Sequence, residues 1–289
     1  MAAQKRILVV GGTGAIGRPV AEALQKAGYA VSILTRDPAR ARMSGISGVD
    51  YVQGDVADAD SLRAALQGCY GVHISLQSVQ SPEEQDRVQH QGTKRIAQIA
   101  AEVGVQHITY VSGHLVSERF AYIPAEKAKL DAENAIKASG VPYTIFRPTY
   151  FIDIMPQFVQ NGRMSIFGKQ PHPIHFLAVA DFAKFIVAAY SEPKAVNQTF
   201  YVRGTQAMTF ADAFEMYRQA VDPAIQVSVA PFWLAGIINR MVLKGELTEI
   251  LALLRATSQV GEIGDYAPAE QVFGSAPTTV ESWLRRQPA

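Results

Sequence analysis

A glycine-rich heptapeptide near the N-terminus constrains the fold more than any other feature of the sequence. Residues 11–17 read Gly-Gly-Thr-Gly-Ala-Ile-Gly and follow directly on the apolar run Ile7–Val10. A continuous apolar run is typical of a strand in a parallel sheet that is covered on both faces. A helical pattern follows over Pro19–Ala27, and Gly28 stands where a helix C-terminus favours glycine. The sequence therefore predicts a strand, a tight turn and a helix within residues 5–35.

Each glycine of this heptapeptide has a physical reason to be there. A tight turn needs the conformational freedom of Gly11, a pyrophosphate can approach the backbone closely at Gly14, and Gly17 lets the helix pack against the strand. The helix N-terminus offers unpaired N–H groups and a partial positive charge to phosphates. The arrangement of strand, loop and helix predicts a dinucleotide site. The predicted cofactor contacts of this loop are Gly11, Thr13, Gly14, Ala15, Ile16 and Gly17.

The end of the second predicted strand, Ala30–Leu34, indicates which dinucleotide is bound. An NAD site usually places an acidic side chain here, on the ribose hydroxyls. This sequence instead has Thr35 and then Arg36, whose guanidinium can pair with a 2′-phosphate and stack on adenine, and Arg40 can add charge. We predict NADP, with NAD possible because Asp37 can reach the ribose if the strand ends one residue later. The alternative for Arg36 is a solvated surface charge.

A third predicted strand begins at Tyr51–Val52 and is followed by Gly54, Asp55 and Val56. Asp55 can accept a hydrogen bond from the adenine amino group. It can equally serve as a helix or turn cap, and the sequence leaves both readings open. Asp55 and Val56 are therefore predicted cofactor contacts.

The alternation of strands and helices continues to residue 150. It implies right-handed βαβ crossovers and an α/β fold with a doubly wound parallel sheet. The predicted helices are Pro38–Met43, Ser61–Leu66, Asp86–Val103 and Ala125–Ala138, and the predicted strands are Val72–Leu76, His107–Val111 and Tyr143–Phe146.

The pattern changes after Pro148. Residues 149–180 are predicted to be irregular, whereas Val179–Tyr190 is a helix and Gln198–Val202 a strand that return to the sheet. We predict a nucleotide-binding domain over residues 1–150 and a smaller, mostly helical substrate lobe over 151–289, which ends in the helix Val280–Arg286. The apolar stretch Val227–Leu243 is expected to be a helix that packs on the protein, with membrane-surface binding as the alternative.

Composition limits the partners. The formal net charge is +1, from 27 basic and 26 acidic residues, so there is no electrostatic case for nucleic acid or an anionic membrane. No apolar run approaches the roughly 18 residues of a membrane span. The single cysteine, Cys69, excludes an intrachain disulfide and suits a cytoplasmic protein. His172 and His175 lack further ligand spacing, so no metal is expected. A small-molecule substrate is the expected partner, and the oligomeric state stays open.

Several motifs occur in an order that resembles a known family. They are the glycine-rich loop, Leu-Thr-Arg-Asp-Pro-Ala-Arg, Gly-Asp-Val-Ala-Asp, Tyr-Val-Ser-Gly and Tyr-Thr-Ile-Phe-Arg-Pro-Thr-Tyr-Phe. Over roughly residues 5–205 the chain resembles the atypical, extended short-chain dehydrogenase/reductase superfamily, and within it the NmrA-like NAD(P)-binding group. The resemblance implies a Rossmann fold and places Pro148, with its neighbours Arg147 and Thr149, beside the nicotinamide. Members include quinone and phenylpropanoid reductases, epimerases and regulators that bind NADP without known turnover.

The resemblance also exposes a departure. In the superfamily a Tyr and a Lys four residues later share one helical face, and a Ser after the fifth strand polarises the substrate carbonyl. Here Lys129 and Glu133 fit the family's Lys-x-x-x-Glu spacing, and Ser112 stands at the end of the fifth strand, where it can also be only a strand-end cap. Four residues before Lys129, however, is Ala125. Ordinary carbonyl reduction with a Tyr donor is therefore not expected.

Three readings follow from that departure. Lys129 can hold the cofactor ribose and act alone as general acid, as in phenylpropanoid reductases, or be a surface lysine paired with Glu133. Another donor can substitute, with Tyr122, Tyr150 and His114 as candidates. Or the site senses the cofactor without chemistry. The sequence predicts an NADP(H)-dependent oxidoreductase acting on a small apolar carbonyl, enone or quinone, and the alternative is a non-catalytic NADP(H)-binding regulator.

Overall fold

The computed structural model describes residues 4–43, 45–77, 81–241 and 247–286. The strands are β1 (Arg6–Val10), β2 (Ala30–Thr35), β3 (Asp50–Gln53), β4 (Gly71–Ile74), β5 (His107–Val111), β6 (Tyr143–Pro148), β7 (Val159–Gln160), β8 (Arg163–Phe167), β9 (Ile174–His175), β10 (Gln198–Val202), β11 (Ala207–Met208) and β12 (Gln226–Ala230). The α-helices are α1 (Gly17–Lys26), α2 (Pro38–Met43), α3 (Ala59–Leu66), α4 (Pro82–Gln85), α5 (Thr93–Glu102), α6 (Pro124–Ala138), α7 (Val179–Ala189), α8 (Phe210–Val221), α9 (Phe232–Met241), α10 (Thr248–Val260), α11 (Ala267–Phe273) and α12 (Val280–Leu284).

Seven strands form one parallel sheet in the order β10-β6-β5-β4-β1-β2-β3. The chain first builds outward from β1 to β3 and then returns to β4 on the other side of β1. This reversal confirms the predicted doubly wound sheet. In such sheets the carboxyl ends of the strands open a crevice at the point of reversal, here between β1 and β4.

Successive residues of β1 face opposite sides of the sheet, as the two-residue period of a strand requires. Ile7 and Val9 belong to the core under α1 and α7, whereas Leu8 and Val10 belong to the core under α3, α5 and α6. All four side chains are at most 1% exposed. Burial on both faces explains why this strand is a continuous apolar run.

The helix predicted over Asp86–Val103 is longer and less regular in the structure. It begins at α4, where the Ser81 hydroxyl accepts from the Glu84 amide at 3.3 Å, and becomes π-helical over Asp86–Gly92 before α5. Such π-helical segments are frequent at functional sites.

The prediction that residues 149–180 are irregular was wrong in part, because they include the short strands β7, β8 and β9. Strand β8 pairs antiparallel with β7 and parallel with β12, so residues 227–230 form part of a strand where a helix was predicted. Helix α9 accounts for the rest of the Val227–Leu243 stretch, as far as Met241; residues 242–243 lie outside the described residues. Trp233 and Met241 on this helix are 67% and 78% exposed, so it is only partly packed on the protein.

The C-terminal residues have a hydrophobic core of their own, formed by side chains from β8, α8 and α12 among others. They also return to the sheet, because β10 pairs with β6 and α7 packs against α1. Within the described ranges, no helix combines the length and apolar character that a membrane span requires. The division at residue 150 and the cytoplasmic location stay predictions.

Candidate functional site

A cleft of about 2080 Å³ opens along the carboxyl ends of the sheet strands. It brings together almost every site residue that the sequence predicts, from the glycine-rich loop at one end to helix α6 at the other. The predicted residues that line it are Gly11, Thr13, Gly14, Ala15, Ile16, Gly17, Arg36, Asp55, Val56, Ser112, His114, Lys129, Pro148 and Tyr150. Tyr122 lies elsewhere, on the surface, and is 67% exposed.

The glycines of the loop meet different demands. Gly11 has φ +85°, and a Cβ added to it would lie 2.2 Å from the Ser75 carbonyl oxygen. A Cβ on Gly17 would lie 2.3 Å from the Gly11 oxygen, so both positions require glycine for the fold. A Cβ on Gly14 would have only the Gly11 oxygen nearby, at 3.4 Å. Packing therefore does not exclude a side chain at Gly14, and a ligand that closely approaches the backbone gives the reason for glycine there.

The N-terminus of α1 is suited to an anion. Its N-cap residue, Ile16, has no side chain that accepts a hydrogen bond from the helix, and the first turn contains no acidic residue. The positive end of the helix dipole consequently faces the cleft without an acidic side chain of its own helix to compensate it. This is the chemistry that a pyrophosphate would require.

The charged residues after β2 separate into two roles. One carboxylate oxygen of Asp37 accepts from the Arg40 amide at 3.0 Å and caps α2, and Asp37 also lines the cleft, so its contact with an NAD ribose stays a prediction. Arg36 and Arg40 are exposed and line the cleft. Two guanidinium groups at this edge favour a phosphate over ribose hydroxyls.

Asp55 also caps a turn, since its Oδ1 accepts from the Ala57 amide at 2.8 Å. The carboxylate nevertheless lines the cleft, so the adenine contact stays a prediction. The Val56 carbonyl accepts from Arg95 at 2.7 Å, and a Cβ on Gly92 would approach the Val56 side chain at 3.0 Å. The π-helical segment that ends at Gly92 thus supports this part of the cleft wall.

Glu133 is fully buried and joins three elements at the base of the site. It accepts from the Ser112 hydroxyl at 2.6 Å and from Arg147 at 2.8 and 2.7 Å, and Lys137 lies 3.4 Å away. The Ser112 hydroxyl thus donates its hydrogen bond to Glu133, and its role in polarising a substrate carbonyl stays a prediction. Glu133 pairs with Arg147 and Lys137, which corrects its predicted pairing with Lys129.

Lys129 extends instead toward the cleft. Its Nζ lies 3.9 Å from Oε1 of Glu126, one helical turn earlier, and its side chain is only 20% exposed. Glu126 also lines the cleft. A Cβ on Gly113 would lie 3.3 Å from the Lys129 Nζ and 3.5 Å from the Glu126 Oε2. A side chain at position 113 would therefore crowd both groups, and the glycine lets them lie close to the end of β5.

Burial raises the pKa of Glu126, although the Lys129 and Arg147 charges oppose that shift. Sequence reasoning missed this residue. The sequence did contain one indication of its place, because Glu126 and Lys129 are three residues apart and such residues share a helix face. An acid on the inner face of a helix was not otherwise distinguishable from the exposed acids around it.

The predicted alternative donors are poorly placed for acid catalysis. Burial lowers the pKa of His114 to about 3, with the Lys129 charge acting in the same direction, so its imidazolium form is not populated near neutral pH. Its ring packs against that of Tyr150 at 5.2 Å. The Tyr150 hydroxyl is hydrogen-bonded to Thr257 at 2.8 Å, and burial raises its pKa.

One group of potential metal ligands, which the sequence did not suggest, lies outside the cleft. Asp86, His90 and Asp131 each place a ligand atom within 4.8 Å of the others. The Lys127 ammonium lies 2.6 Å from the Asp131 carboxylate, so a cation would meet a positive charge there. We assign this cluster no function.

Known proteins share this fold and sequence pattern. A reductase of Streptomyces griseus subsp. griseus, named (4-alkanoyl-5-oxo-2,5-dihydrofuran-3-yl)methyl phosphate reductase, is 32% identical over 208 residues, which cover 70% of this chain and 69% of that protein. The photosystem II assembly factor Ycf39 of Trieres chinensis is 26% identical over 81% of this chain and 75% of its own. Triphenylmethane reductase of Citrobacter sp., solved with NADP(H), superposes with a TM-score of 0.76 at 20% identity, covering 98% of this chain and 100% of that one. The sequence model of the NmrA-like family matches residues 3–284, and the chain belongs to that family.

Proposed function

We propose that this protein is an NADP(H)-dependent reductase that transfers hydride to a small apolar carbonyl, enone or quinone. The observation that carries the proposal is the arrangement of one cleft. It joins the glycine-rich loop and Arg36 at one end to Lys129 at the other. At the second end, a partly buried ammonium and the buried Glu126 carboxyl group lie together in the cleft.

The described residues fit the cofactor. Gly14 and the uncapped N-terminus of α1 would receive the pyrophosphate, Arg36 and Arg40 the 2′-phosphate, and Lys129 the nicotinamide ribose. Pro148 would border the nicotinamide. The relatives support this assignment, since one is named as a reductase and the structural neighbour was solved with NADP(H).

Bound NADPH would supply the hydride, and the protein would supply positioning and charge. The Lys129 ammonium can stabilise negative charge that develops on the substrate oxygen as hydride arrives. Apolar side chains from the C-terminal lobe line the same cleft and can exclude water from the acceptor. They include Phe158, Phe167, Ile250, Leu253 and Leu254.

Binding titrations with NADPH and NADH test the cofactor assignment. We expect the wild type to prefer NADPH, and Arg36→Asp to weaken NADPH binding by about 10- to 100-fold, because a charge-assisted contact to the 2′-phosphate is lost and a repulsion added. Arg63→Asp is the matched control, since Arg63 is an exposed arginine whose partner is Glu102. Unchanged NADPH affinity in Arg36→Asp would contradict the assignment of Arg36 to the 2′-phosphate. Oxidation of NADPH with quinones, enones and aldehydes then tests for turnover.

A non-catalytic NADP(H)-binding regulator is the second candidate. One relative is named as an assembly factor, and helix α9 exposes apolar side chains that a protein partner could cover. They are Trp233, Leu234, Ile237 and Met241. Tight NADPH binding without reduction of any acceptor in the panel would favour this candidate.

A further inference from the structure

We propose that Glu126, as a neutral carboxylic acid, is the proton donor that completes the reduction. This inference rests on the proposed reductase function and names a catalytic residue for it. The sequence lacks the Tyr that the superfamily uses, and Ala125 stands in its place. Glu126 is the next residue of the same helix, and it presents an acid to the same cleft.

Glu126 is buried and has an unpaired carboxyl oxygen, as expected of a group that contacts a ligand. Its side chain is 4% exposed, and Oε2 forms no hydrogen bond to any part of the chain that the structure describes. A buried polar atom without a hydrogen-bond partner is unfavourable unless a ligand or water satisfies it. Oε2 lies close to Gly113, just past the carboxyl end of β5, and Glu126 lines the cleft that would receive the acceptor.

Burial raises the pKa of Glu126 and the Glu133 charge acts in the same direction, whereas the Lys129 and Arg147 charges oppose that shift. Lys129 lies beyond hydrogen-bond distance, and Arg147 is already engaged with Glu133. On α10, Glu249 accepts a hydrogen bond from Gln85 and leaves its Oε1 without a partner among the described residues. Burial and the nearby Glu126 raise the pKa of Glu249, so the two carboxyl groups disfavour simultaneous ionisation. Glu126 interacts electrostatically with six charged or titratable groups among the described residues: Tyr110, Lys129, Glu133, Arg147, Tyr150 and Glu249.

The proposed step balances. Hydride from NADPH forms a C–H bond on the acceptor, and the electron pair of the C=O π bond, directly or through conjugation, moves onto oxygen. The O–H bond of Glu126 breaks, and its proton forms the new O–H bond of the product. NADPH is oxidised to NADP⁺, the acceptor is reduced by two electrons, and Glu126 becomes a carboxylate beside the Lys129 ammonium. Water entering the cleft returns the proton to Glu126.

The test compares Glu126→Gln with the wild type, because glutamine keeps the size of the side chain and has no acidic proton. Glu118→Gln is the control, since Glu118 is exposed and outside the cleft. Infrared spectra without substrate, near neutral pH, should show a carboxylic-acid carbonyl band in wild type and Glu118→Gln that Glu126→Gln loses. NADPH affinity should stay at the wild-type value.

Turnover supplies the second readout. We expect Glu126→Gln to lower kcat by about 100-fold or more with little change in KM, as loss of a general acid does. Wild-type kcat should fall as pH rises and Glu126 ionises, and Glu126→Gln should lose that dependence. If Glu126→Gln fails to fold, Glu126→Asp takes its place and should keep the pH dependence with reduced kcat.

The possible failures are distinguishable. A Glu126→Gln enzyme as fast as wild type, or one that keeps the carboxylic-acid band, overturns the role of Glu126 and leaves the reductase function standing. A wild-type protein that binds NADPH and reduces no acceptor overturns the reductase function and this role together.

Discussion

Arg147 donates two parallel hydrogen bonds to the fully buried Glu133, from Nε to Oε1 at 2.8 Å and from the guanidinium Nη2 to Oε2 at 2.7 Å. This pair joins β6 to α6, and the Ser112 hydroxyl adds the end of β5 to the same carboxylate. The helix that carries Lys129 and Glu126 is thereby fixed to the two strands whose ends border the cleft.

We therefore expect Arg147→Met to destabilise the protein by about 3–5 kcal/mol, because it leaves a buried carboxylate without its main partner. Arg285→Met breaks an exposed ion pair with Glu281 and should change the free energy of unfolding by less than about 1 kcal/mol. Urea unfolding of both variants measures the difference. Similar losses in the two variants would show that the Arg147–Glu133 pair does not hold the helix.

The loop glycines allow fold and ligand binding to be separated. Gly17→Ala places a Cβ 2.3 Å from the Gly11 oxygen and should lower the melting temperature markedly. Gly14→Ala places a Cβ only 3.4 Å from that oxygen, so the melting temperature should change little while NADPH affinity falls by at least about tenfold. Thermal melts and titrations check both. Unchanged NADPH affinity in Gly14→Ala would contradict the assigned pyrophosphate position.

We expect the burial of two histidines to lower the free energy of unfolding in acid. Burial lowers the pKa of His107 to about 4 and that of His73 to about 3. In the unfolded chain both histidines titrate near pH 6.5, so folding disfavours protonation of their rings. The free energy of unfolding is therefore at its full value above pH 6.5 and falls as the pH is lowered toward about 4. For His107 the loss is about 3 kcal/mol.

His107→Gln should therefore flatten the decline in the free energy of unfolding between pH 6.5 and 4. His172→Gln, at an exposed position, should keep the wild-type decline. Urea unfolding across this range supplies the measurement. A decline equally steep in His107→Gln would assign the acid sensitivity to other groups.

The glycine-rich loop and the doubly wound sheet could be predicted because their signals are local. Ile7–Val10 is apolar on both faces and the heptapeptide follows at once, so neither inference needs a distant contact. Residues 227–230 were predicted to be helical because an apolar run does not reveal its hydrogen-bond partners. Their pairing with β8, some 60 residues earlier, makes them a strand.

The Lys129 end of the cleft was less predictable for the same reason. Lys129 and Glu133 have helical spacing, but Arg147, from a different element, engages Glu133. Lys129 lies near Glu126 instead. Burial likewise shifts the pKa values of His114 and Tyr150, and the spacing of residues in the sequence does not reveal how deeply a side chain is buried.

Deuterium transfer from NADPH to the product tests the proposed hydride transfer. NADPH labelled at C4 of the nicotinamide ring, in separate preparations of each stereochemistry, is incubated with the aldehydes and enones of the panel, whose reduced products keep a C–D bond, and the product is examined by mass spectrometry. We expect deuterium in a product formed by wild type and by Lys127→Ala, whose lysine is exposed on the same helix. For Lys129→Ala we expect a loss of about 100-fold or more in kcat/KM. A product that carries no label from both preparations, or a Lys129→Ala variant as active as Lys127→Ala, would contradict the proposed hydride transfer and the role of Lys129.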